Sequence, residues 1–216
     1  MYIFQTAREE LHAQIKRHAE TITGRVLDVG AGPVARYREL FRYGEYVSVD
    51  VIEYTPGQLV GSAEALPVPD SSFDSLVCTQ VLGDVYDLRR AFSEFYRVLK
   101  PGGCALVTES LFDSLHDEPN DYWRLTGHAL RRLAEDAGFA VETLEARGGY
   151  RSVDAQLKAR YLIARFDLYN RPVGKIAAPF LKLMGRRALW RDRHDKSSAV
   201  ALFTHGYLLL ARKPHV

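Results

Sequence analysis

Short, unbroken apolar runs alternate with amphipathic stretches through about residue 146 of the chain. Runs without polar alternation are typical of parallel strands buried on both faces. Strands are predicted at residues 26–29, 46–51, 75–82, 104–110 and 139–145. Helices are predicted at residues 7–20, 34–42, 88–99 and 126–137, with Asp87 and Thr126 as N-caps. This alternation indicates βαβ units and a mostly parallel sheet.

The pattern changes after residue 146. Residues 150–191 have a helical, amphipathic pattern, and GYLLLARK at 206–213 predicts a last strand. The chain shows no internal repeat, low-complexity tract or linker. We therefore expect one domain over residues 1–216: a core at about 20–146, a helical insert at about 150–195 and a closing strand at about 206–213.

Composition and charge narrow the class of protein. Hydrophobic residues make up 47% of the chain and the formal net charge is +2, so nothing global points to a nucleic-acid partner. Cys78 and Cys104 fall in predicted strands, and buried thiols favour a reducing compartment. The N-terminal stretch lacks an apolar signal core, and no run approaches the length of a membrane span. We expect a cytoplasmic protein without a transmembrane segment.

A glycine turn follows the first predicted strand, in Asp28-Val29-Gly30-Ala31-Gly32-Pro33. Glycine at 30 and 32 lets the backbone turn sharply and approach a ligand closely. The same turn satisfies the dinucleotide pattern G-x-G-x-x-G/A through Ala35, and Asp50 stands twenty residues beyond Gly30. The motif by itself therefore leaves a nicotinamide-dependent oxidoreductase open.

Three further features argue against a nicotinamide-dependent oxidoreductase. Asp28 ends a buried strand, where its charge requires a partner such as the ammonium group of a bound amino acid. Two further segments follow it along the chain: ALPVPDSSFDSLVCTQVL at 65–82 and FYRVLKPGG at 95–103. As a set, these pieces resemble class I S-adenosylmethionine-dependent methyltransferases of the small-molecule type, as in ubiquinone and menaquinone biosynthesis. The resemblance covers roughly residues 20–145.

The resemblance implies a Rossmann-like, doubly wound, mostly parallel seven-stranded sheet with an antiparallel last strand. It also implies S-adenosylmethionine as cofactor and S-adenosylhomocysteine as product. The cofactor-binding residues that it implies are Asp28, Gly30, Gly32, Asp50, Val51, Ser62, Ala63, Glu64 and Gln80. A non-catalytic binding subunit with this fold also stays open, because Val34 replaces a glycine and Ser62 an aspartate that the family often has.

The resemblance also suggests what each of these residues does. Gly30 and Gly32 would contact the methionine part of the cofactor, and Asp28 would orient its amino group. Asp50, with Val51 beside it, would accept hydrogen bonds from the ribose hydroxyls. The loop Ser62-Ala63-Glu64 would meet the adenine edge. Gln80 would line the methyl end.

The loop after the predicted strand 104–110 is the candidate acceptor side, since ligands bind beyond the carboxyl ends of parallel strands. Methyl transfer is an in-line displacement, so the protein mainly positions donor and acceptor and excludes water. His116 is the candidate general base, and Tyr122, Trp123 and Arg124 are candidate substrate-binding residues. The alternative is that Trp123 packs and Arg124 pairs with Asp121. No metal site is expected, because His194 and His205 lack partners at ligand spacing.

The insert carries a basic amphipathic pattern at residues 172–191. One arc of the predicted helix holds Val173, Ile176, Ala177, Phe180, Leu181, Leu183 and Met184. Lys175, Lys182 and Arg186 fall opposite this arc. Such a helix suits peripheral contact with an anionic membrane and a lipid-linked acceptor, or else a lid packed over the acceptor cleft. The oligomeric state and the identity of the acceptor are left open.

Overall fold

The computed structural model describes residues 4–215, so Met1 to Ile3 and Val216 of the expected domain lie outside it. The described chain forms a seven-stranded sheet in the order β3-β2-β1-β4-β5-β7-β6. In chain order the strands are β1 Thr23–Val29, β2 Arg42–Asp50, β3 Leu59–Val60, β4 Phe73–Thr79, β5 Leu99–Ser110, β6 Ala140–Arg147 and β7 Gly206–Arg212. The α-helices are α1 Thr6–His18, α2 Leu88–Val98, α3 Gly127–Asp136, α4 Tyr150–Phe166 and α5 Val173–His194.

Strand direction follows the expected topology. The pairs from β3 to β5 are parallel, and β7 runs antiparallel to both β5 and β6. The predicted fold class, a mostly parallel sheet of seven strands with an antiparallel last strand, is confirmed. Because the carboxyl ends of the parallel strands meet at one edge, the loops after β1, β2, β4 and β5 lie together.

Neighbouring residues of the central strands pack on opposite faces of the sheet. Leu27 and Leu76 belong to the larger cluster, which also holds the apolar faces of α2 and α3. Val26 and Val77 belong to the second cluster, which packs against α1. Burial on both faces explains why the sequence shows unbroken apolar runs here rather than alternation.

Both predicted helix N-caps are confirmed. The Asp87 carboxylate accepts a hydrogen bond from the Arg90 N–H at 3.0 Å, and the Thr126 hydroxyl accepts one from the Ala129 N–H at 3.2 Å. Each side chain satisfies an N–H group that the first helical turn leaves without a partner.

The predicted helix at residues 34–42 is wrong. The segment consists of turns with a single 3₁₀ turn at Arg38–Leu40, and β2 already begins at Arg42. Ala35 has a φ of +40°, which an α-helix of L-residues does not accommodate. The chain needs this conformation because the segment must cross directly from the glycine turn to β2.

The insert forms two packed helices. Leu181 of α5 meets Ala159 and Ile163 of α4 in a small apolar cluster. Among the described residues, no helix has both the length and the apolar character needed to cross a membrane.

Candidate active site

The glycine turn begins where β1 ends. Gly30 and Gly32 have φ of +71° and +62°, a region that favours glycine. A Cβ on Gly30 would lie 2.2 Å from a methyl carbon of Val81, so a side chain there would displace the loop after β4. A Cβ on Gly32 would meet no heavy atom within 4 Å. The turn therefore leaves open space beside Gly32, which a ligand can fill.

Asp28 lies immediately before this turn and is buried. The Tyr46 hydroxyl donates a hydrogen bond to its carboxylate at 2.7 Å. Burial raises the pKa of Asp28 to about 7, and the nearby charge of Asp50 raises it as well, while the Tyr46 hydrogen bond lowers it. A carboxylate held out of water in this way favours a ligand that brings a positive charge.

Asp50 ends β2 with both carboxylate oxygens held by backbone N–H groups. One oxygen accepts from Gly32 at 2.8 Å and the other from Val51 at 2.8 Å. These bonds fix the direction of the carboxylate. Each oxygen retains a lone pair for a ligand hydroxyl.

Ser62, Ala63 and Glu64 form a turn close to Asp50. The Ser62 hydroxyl accepts a hydrogen bond from the Glu64 N–H at 3.1 Å, and Ala63 is buried. One Glu64 oxygen accepts from the Asp87 N–H at 2.6 Å, at the start of α2. The Glu64 side chain therefore anchors this turn to the helix.

Two cavities lie along the carboxyl edge of the sheet. The Asp28 cavity, of about 330 Å³, is lined by Asp28, Gly32, Asp113, His116 and Arg160 among others. The Asp50 cavity, of about 390 Å³, is lined by Asp50, Val51, Ser62, Ala63 and Glu64 among others. Gly30, Gln80, Asp84 and Asp117 line both. Every residue expected to bind the cofactor lines one or both of these cavities.

Gln80 stands at the junction of the two cavities, with a φ of +59°. Its side-chain oxygen accepts from the Ser110 hydroxyl at 2.6 Å and from buried Arg147 at 3.3 Å. Its amide nitrogen donates to the Thr108 hydroxyl at 3.3 Å. These three bonds fix the orientation of the amide. Burial lowers the pKa of Arg147 to about 10.

The sequence analysis did not predict several of the residues that line these cavities. Asp84 follows Gln80 by four residues, and its pKa is raised chiefly by burial. Arg160 of α4 pairs with Asp113 at 3.0 Å, and both side chains line the Asp28 cavity. Position after a strand could have indicated Asp84. No local signal indicates Arg160, because its place depends on how the insert packs.

His116 lines the Asp28 cavity, as its predicted role requires. Its Nδ1 lies 3.0 Å from the Ser114 carbonyl oxygen and 3.7 Å from an Asp121 carboxylate oxygen. If Nδ1 donates to that carbonyl, Nε2 is the nitrogen left to accept a proton.

Tyr122, Trp123 and Arg124 line neither cavity. The N–H groups of Tyr122 and Trp123 donate to the Gly83 carbonyl oxygen at 2.8 and 3.1 Å. Arg124 forms an ion pair with Asp121. The structure thus gives these three residues a part in shaping the loop, and their contact with an acceptor stays a prediction.

Among the described residues, Asp84, His116 and Asp121 are close enough together to hold a cation. Arg124 already pairs with Asp121 and keeps the pKa of this carboxyl well below its usual range. A second positive charge on Asp121 would meet the guanidinium, which disfavours a metal ion. The absence of a metal site stays a prediction.

Several of the segments that form these cavities are also those in which the chain is similar to known proteins. The sequence profile of the family described as "Methyltransferase domain" matches residues 27–107, which include the glycine turn, Asp50 and Gln80. The ubiquinone/menaquinone biosynthesis C-methyltransferase UbiE of Enterobacter sp. is 35% identical over 115 residues, which cover 52% of this chain and 43% of that protein. A protein of Mycolicibacterium smegmatis, named as a probable S-adenosylmethionine-dependent methyltransferase, is 33% identical over 125 residues, 50% of this chain and 49% of its own. The chain thus spans about half the length of the curated relatives it matches.

Solved structures share the fold. The cyclase SpnF has a TM-score of 0.63 at 22% identity, covering 100% of this chain and 85% of its own. Phosphoethanolamine N-methyltransferase 2 of Haemonchus contortus, in complex with S-adenosyl-L-methionine, has a TM-score of 0.58 at 20% identity, covering 97% of this chain and 53% of its own. At these identities the likeness shows the fold alone. The profile match and the relatives' names show that residues 27–107 are similar to S-adenosylmethionine-dependent methyltransferases.

Proposed function

We propose that this protein transfers a methyl group from S-adenosylmethionine to a small-molecule or lipid-linked acceptor. The observation that carries the proposal is the junction of the two cavities at Gly30, Gln80, Asp84 and Asp117. A cofactor lying in the Asp50 cavity and extending past Gly30 would present its methyl end toward the Asp28 cavity. The remaining space there would receive the acceptor.

The residues present suit this cofactor. Asp50 would accept hydrogen bonds from the ribose hydroxyls, and Ser62, Ala63 and Glu64 would border the adenine. Buried Asp28 would bind the amino group of the methionine part, because the positive charge of this group would pair with the buried carboxylate. The open space at Gly32 would admit the methionine backbone.

When bound, S-adenosylmethionine supplies an electrophilic methyl group that leaves its sulfonium by in-line displacement. The chain's own contribution is to position the acceptor and keep water out. The fixed amide of Gln80 would border the methyl end of the bound cofactor. Arg160 and Asp113 give the Asp28 cavity charges of both signs, which favours a polar acceptor or the polar end of a lipid-linked one.

Cofactor binding is tested by calorimetric titration of the full chain. We expect S-adenosylhomocysteine to bind and NADH not to bind. Asp50→Ala should weaken this binding roughly thirtyfold, because hydrogen bonds to a charged group contribute about 2 kcal/mol. Asp50→Asn, which keeps one acceptor oxygen, should lose less.

Glu135→Ala on the exposed side of α3 is the matched control and should leave the affinity unchanged. Unaltered binding by Asp50→Ala would mean that the pocket is misplaced. Binding of NADH alone would favour the nicotinamide oxidoreductase. Failure to bind either compound would favour a non-catalytic binding subunit.

We propose His116 as the general base for acceptors that lose a proton. His116→Ala should lower turnover at least about tenfold, since general bases typically contribute roughly 10²–10⁴-fold, while S-adenosylhomocysteine affinity stays the same. The assay is transfer of labelled methyl to the acceptor that mass spectrometry identifies on the purified protein. His128→Ala, at an exposed histidine of α3 that lines neither cavity, is the control. Undiminished turnover by His116→Ala would remove the histidine from the mechanism.

The single domain over 1–216, the cytoplasmic location and peripheral membrane contact through 172–191 stay proposals. The free, buried thiols of Cys78 and Cys104 support a reducing compartment.

A further inference from the structure

Helix α5 is apolar on two faces. Its inner face packs against the rest of the protein through Leu181, Gly185, Ala188 and Leu189, all buried. Its outer stripe consists of Val173, Ile176, Phe180, Leu183 and Trp190, which are exposed by 47, 77, 65, 68 and 58%. The sequence placed Leu181 on one arc with Ile176 and Phe180. The structure separates them, because Leu181 turns inward and the other two turn outward.

The outer stripe is too large to be a chance set of exposed side chains, and Arg187 is the one charged residue within it. At 1.5 Å per residue its first and last members lie about 26 Å apart along the helix axis. Isolated exposed apolar residues are ordinary, whereas a contiguous patch of large ones marks an interaction surface. The surface is the convex side of a single helix, which fits a flat partner.

Positive charges accompany the stripe. At 100° per residue, Lys175, Lys182 and Arg186 fall along one edge of it and Arg191 at the other edge. Arg187 falls within the stripe, between Leu183 and Trp190. Between Asp167 and Asp192 the chain has no acidic residue. None of these five cations forms an ion pair with any residue in the described part of the chain. Their charge is therefore directed to solvent or to a partner.

This charge pattern decides between partners. A second copy docked through the same face would set the five cations of one chain against the five of the other, at a repulsive cost. An anionic lipid surface instead complements the cations while its acyl region accepts the apolar side chains. Trp190 suits the boundary between headgroups and acyl chains, where tryptophan is enriched.

We propose that α5 is a membrane-surface helix, which binds an anionic phospholipid bilayer through its outer stripe and these five cations. Helix α5 packs on α4, which contributes Arg160 to the Asp28 cavity. The docking stands independently of methyl transfer, so its failure would leave the proposed function untouched.

The test is co-sedimentation of the full chain with vesicles. Phosphatidylcholine vesicles containing phosphatidylglycerol should retain the protein at low salt, and vesicles of phosphatidylcholine alone should retain much less. The triple variant Ile176→Ser, Phe180→Ser, Leu183→Ser should weaken retention at least about tenfold, and so should Lys182→Glu, Arg186→Glu, Arg187→Glu. Circular dichroism checks that both fold, which is expected because all six side chains are exposed.

The matched control is Arg131→Glu, Arg132→Glu on α3, which changes charge on another helix and should leave retention high. A second readout needs no variant of α5: in a Trp123→Phe background Trp190 is the only tryptophan. Its emission should shift to the blue on anionic vesicles. Lack of binding to these vesicles would overturn the proposal, as would binding that both triple variants retain. A dimer in sedimentation velocity that the serine variant dissociates would assign the stripe to a second copy instead.

Discussion

Asp28 shows how much one buried carboxyl can determine. Folding withdraws it from water with Tyr46 as its hydrogen-bonding partner, and the pKa rises from an unfolded value near 3.8 to about 7. A raised acid pKa means that the folded state holds the proton more tightly. The contribution of Asp28 to stability is therefore greatest at low pH and falls as pH rises through about 7.

Ligand binding should reverse this preference. An ammonium group beside Asp28 favours the carboxylate, so binding below about pH 7 must release a proton. We expect the affinity for S-adenosylhomocysteine to fall as pH drops below 7, approaching about tenfold per pH unit. Calorimetry across this range, in buffers of different ionisation heat, measures both the affinity and the released proton.

Two variants identify the group responsible. Asp28→Asn should bind weakly and with little dependence on pH. Tyr46→Phe removes a hydrogen bond that favours the charged form, so the loss of affinity should begin at higher pH. A wild-type affinity that stays flat from about pH 5.5 to 8 would exclude Asp28 as the titrating group.

For single residues, the sequence was informative where a functional side chain lies at the end of a strand or directly after it. Asp28, Gly30 and Asp50 are recognisable because short local spacing fixes their place. Tyr46 and Arg160 were not predicted, since strand register and packing of the insert bring them to the site. The position of Trp123 in the loop likewise does not reveal that its backbone bonds to Gly83, and its contact with an acceptor stays a prediction.

At the level of elements, one carboxylate joins the two helices of the insert. Asp192, near the end of α5, is buried and accepts the N–H groups of Arg151 and Ser152 at 3.0 and 2.8 Å. These groups lie in the first turn of α4, where a helix lacks internal acceptors. The negative charge also complements the positive end of the α4 dipole.

We expect Asp192→Ala to lower the free energy of unfolding by about 1–2 kcal/mol, the usual cost of losing a helix cap. Asp192→Asn keeps one acceptor oxygen and should lose less. Urea denaturation measures both. Asp154→Ala, which removes an exposed pair with Lys158, should change stability by less than about 0.5 kcal/mol. Equal losses in Asp192→Ala and Asp154→Ala would show that the buried carboxylate adds nothing.

Elements with strong periodicity were predictable, and the segment 34–42 was not. Its composition suits a helix, yet the geometry of the chain leaving Gly32 imposes turns and a positive φ at Ala35. The inward and outward faces of α5 were likewise beyond the sequence. When a helix is apolar on two sides, its hydrophobic periodicity does not show which side packs against the protein.

For the whole molecule, strand alternation was enough to predict the class of fold, and the last strand joins the edge strand β6 to the rest of the sheet. Strand β7 lies between β5 and β6, and β6 has no other neighbour in the sheet of described residues. During synthesis, β6 therefore emerges before the strand that will hold it exists. The free edge of β5 and the apolar side of β6 stay without their β7 partner while about 60 further residues are added, at roughly 5–20 residues per second. In that interval the growing chain offers an open sheet edge, and here a chaperone or a misplaced strand could bind first.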